Sequence, residues 1–215
     1  MLHPDTADTG GVSWTANSAI TTDGTQANLG ANQAASLPFV PASGHVYVLS
    51  AGLNPVSGST TNWIGMGFVT LASPPATSGG FQINGNTLQA WLLERDNRGT
   101  QSFYGGGTSN AANGPTGSSG YGAYTITLNT TGSNWTASYA QNGTTFRTIT
   151  FATNPTITGI SFGSYALEST NGTGPILLTS SCRWRLMPSC QDKLANVIGR
   201  PKPASSERFK TSHPE

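Results

Sequence analysis

Two adjoining stretches decide the fold: Tyr124-Thr125-Ile126-Thr127-Leu128-Asn129, and then Trp135-Thr136-Ala137-Ser138-Tyr139-Ala140-Gln141-Asn142-Gly143-Thr144. In each, a large apolar residue recurs at every second position with Thr, Ser, Asn or Ala between, the period of a half-buried strand. Thr suits a pleated, partly solvated face. Asn142-Gly143 is a turn dipeptide whose glycine accepts positive φ, so residues 133–151 read as a hairpin turning at Gln141-Asn142-Gly143-Thr144.

The same period recurs upstream. His45 to Leu53 places Tyr47, Leu49, Ala51 and Leu53 on one face. No window carries a helical stripe. Asp23-Gly24, Asn84-Gly85 and Asn171-Gly172 add turn signals, and prolines fall mostly between the strand-like runs, where they remove no ladder donor. About twelve short strands with Gly-rich turns predict an all-β sandwich or jelly roll. No fixed repeat points to a propeller or a β-helix. Two segments, 72–80 and the glycine-rich 105–120, break the pattern and read as long surface loops.

The chain has 215 residues, suited to one large sandwich with a core that needs no disulfide. Charged residues make up only 9% and the net charge is +1, which argues against nucleic acid as a partner. Residues 1–181 contain no lysine, and their charges are Asp5, Asp8, Asp23, Glu94, Arg95, Asp96, Arg98, Arg147 and Glu168. Beyond them the composition turns basic, with Arg183, Arg185, Lys193, Arg200, Lys202, Arg208 and Lys210, and both cysteines, Cys182 and Cys190, occur there. The expected division is an N-terminal segment 1–11, a sandwich domain 12–181 and an irregular, poorly ordered tail 182–215. The tail reads as solvated, and its cysteines as either a nine-residue loop closure in an oxidising compartment or idle thiols. No run of about 18 apolar residues is present to span a membrane. Met1-Leu2-His3-Pro4-Asp5 lacks the charged and apolar regions of a signal peptide. The lysine-free, cysteine-free body nonetheless reads as exported, with any signal outside this sequence.

Several stretches resemble the laminin-G-like, concanavalin A-like domains of bacterial exported proteins that carry a C-terminal PEP sorting signal. They are Ser36-Leu37-Pro38-Phe39-Val40 with His45-Val46-Tyr47-Val48-Leu49-Ser50-Ala51, and Asn62-Trp63-Ile64-Gly65-Met66-Gly67-Phe68. The hairpin above and Ile157-Thr158-Gly159-Ile160-Ser161-Phe162-Gly163 complete the set. The resemblance covers roughly 12–179 and rests on pattern. After Thr179, Ser180-Ser181-Cys182-Arg183-Trp184-Arg185 departs from the family's Pro-Glu-Pro ending. The resemblance implies an antiparallel jelly-roll β-sandwich and a non-catalytic, extracellular or cell-surface module that binds a glycan or another surface polymer. Calcium is common in such sandwiches, and Asp5, Asp8 and Asp23 are the oxygen ligands that could serve, though at no fixed spacing; no other cofactor is expected.

Two alternatives come from other classes. Glu94 and Asp96 in Trp91-Leu92-Leu93-Glu94-Arg95-Asp96-Asn97-Arg98 would share one side of a strand about 7 Å apart, near the separation of glycosidase carboxylates. They could therefore serve a polysaccharide hydrolase or lyase. Residues 98 and 99 are Arg and Gly, so the further carboxylate of that pattern is missing, and the plainer reading is an exposed strand end neutralised by neighbouring arginines. The other alternative is a structural surface protein assembling edge to edge. No serine elbow accompanies His3, His45 or His213, and Cys182 and Cys190 lack two partners for zinc. Trp14, Trp63, Trp91 and Trp135 fall in strand-like runs and are expected in the core. The candidate ligand-binding residues are Phe103, Tyr104 and Tyr121 flanking the glycine-rich segment, with the amides of Asn110 and Asn113 beside them. Asn129, Asn134, Asn142 and Asn171 begin Asn-x-Ser/Thr sequences, which matter in a glycosylating host.

Overall fold

The computed structural model describes residues 14–16, 21–22, 27–29, 33–54, 63–73, 86–95, 99–104, 112–113, 122–165, 171–173, 177–182 and 195–196. In chain order the strands are β1 (Thr15–Ala16), β2 (Thr21–Thr22), β3 (Ala27–Leu29), β4 (Ala34–Pro38), β5 (His45–Asn54) and β6 (Trp63–Thr70). Then follow β7 (Thr87–Arg95), β8 (Gly99–Tyr104), β9 (Ala112–Asn113), β10 (Gly122–Asn129), β11 (Thr136–Gln141) and β12 (Thr144–Thr150). The last are β13 (Gly159–Tyr165), β14 (Asn171–Thr173), β15 (Leu177–Cys182) and β16 (Ala195–Asn196). The described residues contain no helix. Strands exceed the expected dozen because several are two- or three-residue pairings too short to leave a periodic signal. One of them, β9, lies inside the segment expected to be a glycine-rich loop.

All described pairings are antiparallel and form two sheets. The seven-stranded sheet runs β1-β4-β13-β6-β7-β8-β9. The nine-stranded sheet runs β12-β11-β10-β5-β14-β3-β2, with β15 also on β5 and β16 on β15. β15 ends at Cys182, opposite His45, and residues 183–194 and 197–215 lie outside the described residues.

The sheets meet through the faces that alternation predicts. From β5, Tyr47, Leu49, Ala51 and Leu53 point inward; from β10 and β11 come Tyr124, Ile126, Leu128, Ala137 and Tyr139. The opposing face supplies Ile64, Met66 and Phe68 of β6, Ala90 and Leu92 of β7, and Ile160 and Phe162 of β13. Burial of this apolar surface is the main stabilising term. The β11–β12 hairpin turns at Asn142 (φ 49°) and Gly143 (φ 79°), as the primed turns that match strand twist require.

The seven-stranded sheet is buried on its far face as well. There Trp63, Val69, Leu88, Trp91, Leu93 and Ala34 form a second apolar cluster. Trp63 and Trp91 are therefore core residues as expected, but of this second layer, while Trp14 and Trp135 pack partly buried against the inter-sheet core. A strand buried on both sides shows no apolar–polar alternation, and Trp63 to Val69 of β6 are buried without interruption.

Candidate functional site

Of the predicted ligand residues, Phe103 and Tyr104 lie on β8 and Asn113 on β9, at one end of the seven-stranded sheet. β8 lies beside β7, and β9 forms the last strand of its sheet. In this ladder Phe103 stands opposite Trp91, and Asn113 stands opposite Gln101. Asn110 and Tyr121 lie outside the described residues. Gly122 then opens β10 in the other sheet, opposite Leu53.

Tyr104, at the end of β8, pairs with Ala90. Its side chain is half-buried against the inter-sheet core, where an exposed ring was expected. Across the seam, Arg147 on β12 stands opposite Tyr139 of β11. A β-bulge in the β11–β12 ladder falls there, leaving Phe146 without a register partner. The guanidinium donates from Nη2 to the Tyr104 hydroxyl at 2.9 Å and sits 5.0 Å from the centre of the Tyr104 ring. One side chain on the end strand β12 thus reaches β8 of the other sheet through a charge-assisted hydrogen bond and a cation–π contact. Arg147 Nε is buried and has no hydrogen-bond partner. Burial pushes the neighbouring Tyr139 phenol far above its usual range, against the pull of Arg147 and with an added push from Tyr104. Ser102, on β8 one strand period before Tyr104, is fully buried, and its Oγ also lacks a partner.

Arg147 carried no role in the sequence reading. The available signal was its isolation: it is the one Lys or Arg between Arg98 and Arg183.

Glu94 is 0% exposed, which overturns the expectation of an exposed strand end. It stands opposite Ile64 and Thr100, two and four residues beyond Leu92 and Ala90, and so on the face that packs against the other sheet. Asp96, its expected companion, lies outside the described residues, as do Asp5, Asp8 and Asp23. Among the described residues no group of three or more His, Cys, Asp or Glu is placed to hold a metal ion. No helix there is long and apolar enough to cross a membrane.

On the far face of the seven-stranded sheet, Asn86 fastens the chain above Ser36. Its Nδ2 donates to Ser36 Oγ at 3.2 Å, and its Oδ1 accepts from the Ala72 amide at 2.7 Å. Ser161, directly opposite Ser36, keeps its Oγ buried without a partner.

No protein-family model and no curated protein matches the chain. Solved structures do. A Lotus tetragonolobus seed lectin superposes with a TM-score of 0.53 at 14% identity, covering 82% of this chain and 95% of the lectin. The Emp47p carbohydrate recognition domain gives 0.52 at 13% identity over 79% of this chain and 88% of its own. Winged bean acidic lectin, in complex with methyl-α-D-galactose, gives 0.50 at 11% identity over 80% and 93%. The fold is thus the antiparallel jelly-roll β-sandwich of legume-lectin-like domains.

Proposed function

We propose that the chain is a non-catalytic carbohydrate-binding module that works outside the cell. The observation that carries this reading is a lectin-type sandwich whose single described carboxylate is sealed between the sheets. The similar structures include a seed lectin, a carbohydrate recognition domain and a lectin holding a galactoside, and fold alone does not fix function. The lysine-free body and hydroxyl-rich faces fit an exported protein. The ligand residues in this reading are Phe103 and Tyr104 of β8, Asn113 of β9, and Asn110 and Tyr121 close by in sequence, with aromatic faces stacking on sugar rings and amides reading hydroxyls. The burial of Glu94 weighs against the hydrolase alternative. The edge-assembly alternative is weakened at β12, whose Arg147 turns inward and whose ladder carries a bulge, two devices that blunt a free edge.

A glycan array with the full chain tests the reading. Retention of a defined glycan subset, with no release of reducing sugar on prolonged incubation, is the expected result. Absence of binding across the array, or turnover of a bound glycan, would overturn it.

A further inference from the structure

The Arg147 guanidinium is the one Lys or Arg group among the described side chains. A half-buried cation ordinarily finds a counter-ion, because desolvation weakens its hydration without supplying a replacement. Here the acceptor among the described residues is a neutral phenol, Tyr104. The guanidinium Nε is buried without a partner. Ser102, two residues before Tyr104 on the same inward face of β8, adds a fully buried hydroxyl without a partner. Successive residues of one face stand about 7 Å apart, so the hydroxyl and the phenol border the same stretch of seam. Arg147 Nε on β12 and Ser102 Oγ on β8 are thus buried polar groups without a partner, and the Tyr104 hydroxyl joins the two strands. The Tyr104 contact fixes the guanidinium plane, so its free edge is oriented in advance.

We propose that Arg147, framed by Tyr104 and Ser102, is an anionic subsite that takes the carboxylate of an acidic sugar, such as a uronic acid residue within a glycan. This rests on the carbohydrate-binding reading and adds the ligand's charge to it. A carboxylate accepts two parallel N–H bonds from a guanidinium, a geometry that a neutral hydroxyl does not reproduce. The subsite would thus select acidic over neutral glycans of the same backbone.

Titration of the full chain with galacturonic acid oligomers, with the same oligomers after carboxyl reduction, and with sodium acetate tests this. The acidic oligomers should bind about tenfold or more tightly than the reduced ones, with the difference shrinking as salt rises. Arg147→Gln should abolish the difference, and Arg147→Lys should restore only part of it. Urea unfolding of each variant identifies any loss caused by misfolding, and Tyr104→Phe, which keeps the charge but frees the guanidinium, should reduce the preference without erasing it. Equal affinity for acidic and neutral oligomers would overturn the subsite and leave the carbohydrate reading standing. So would a preference that survives Arg147→Gln. Acetate binding as tightly as the oligomers would make this a simple carboxylate site and overturn the sugar assignment. Binding of no glycan, acidic or neutral, would overturn both.

Discussion

The indole of Trp91 lies across Gly65: a Cβ on residue 65 would fall 2.9 Å from Trp91 Nε1 and 2.6 Å from the Leu92 carbonyl oxygen. The second apolar layer therefore depends on a missing side chain as much as on its tryptophans. Gly65→Ala forces a backbone atom and an indole apart in a close-packed region, so it should destabilise the fold by about 1–3 kcal/mol. A lower urea midpoint at unchanged slope is the expected signature. A variant as stable as the parent would show that the indole has room to yield.

Thr130 ties the β10–β11 turn to the start of β5. Its Oγ1 accepts from the His45 amide at 3.0 Å and donates to the Ala42 carbonyl at 2.7 Å, while its own carbonyl receives the Gly44 amide at 2.9 Å. Thr130 is buried, so Thr130→Val keeps the shape but strands a donor and an acceptor. A loss of about 1–3 kcal/mol is expected, with faster amide exchange at His45. Slow exchange at that amide in the variant would count against the account.

At the β11–β12 turn the cost is conformational. Gly143 sits at φ 79° with open space where a Cβ would lie. Gly143→Ala should therefore cost about 1–2 kcal/mol through backbone strain alone, measurable by thermal unfolding. Asn142 tolerates its left-handed conformation, and its Oδ1 accepts the Ala123 amide at 2.9 Å. Asn142→Ala removes both supports and should be at least as costly.

The Tyr139 phenol gives a pH dependence with a definite sign. Its pKa is raised in the folded state from a reference of 10.0, so the unfolded chain ionises first. Its contribution is complete below about pH 10 and is lost above it, with a limiting slope of about 1.4 kcal/mol per pH unit. Urea midpoints measured from pH 8 to 11 should fall at the alkaline end for the parent and fall less for Tyr139→Phe. Identical curves would refute burial as the cause.

Legibility in the sequence followed solvent exposure. β5, β10 and β11 each keep one face wet, so their alternation names the inward residues from Tyr47 through Tyr139. β6 is sealed on both sides, and its run of Trp, Ile, Gly, Met and Phe could not say which face was which. Glu94 misled because charge normally marks a surface, and only the ladder to Ile64 shows which way it faces. Arg147 and Tyr104 come together through two sheets that no local pattern connects. Of the candidate ligand residues, aromatic character was legible, whereas the half-burial of Tyr104 required the opposite sheet to be in place.

The position of β5 has a kinetic consequence. It sits inside its sheet between β10 on one side and β14 and β15 on the other, while β4 waits for β13. Leu49 cannot complete its neighbours until Leu178 has been made, nor Ala34 until Gly163. Neither sheet can close around an N-terminal half alone. Such long-range pairing places folding on the order of milliseconds to seconds. During synthesis the β6–β7–β8 and β10–β11–β12 ladders can pair as they emerge, while β4 and β5 stay open on one side until β13 and β15 are made.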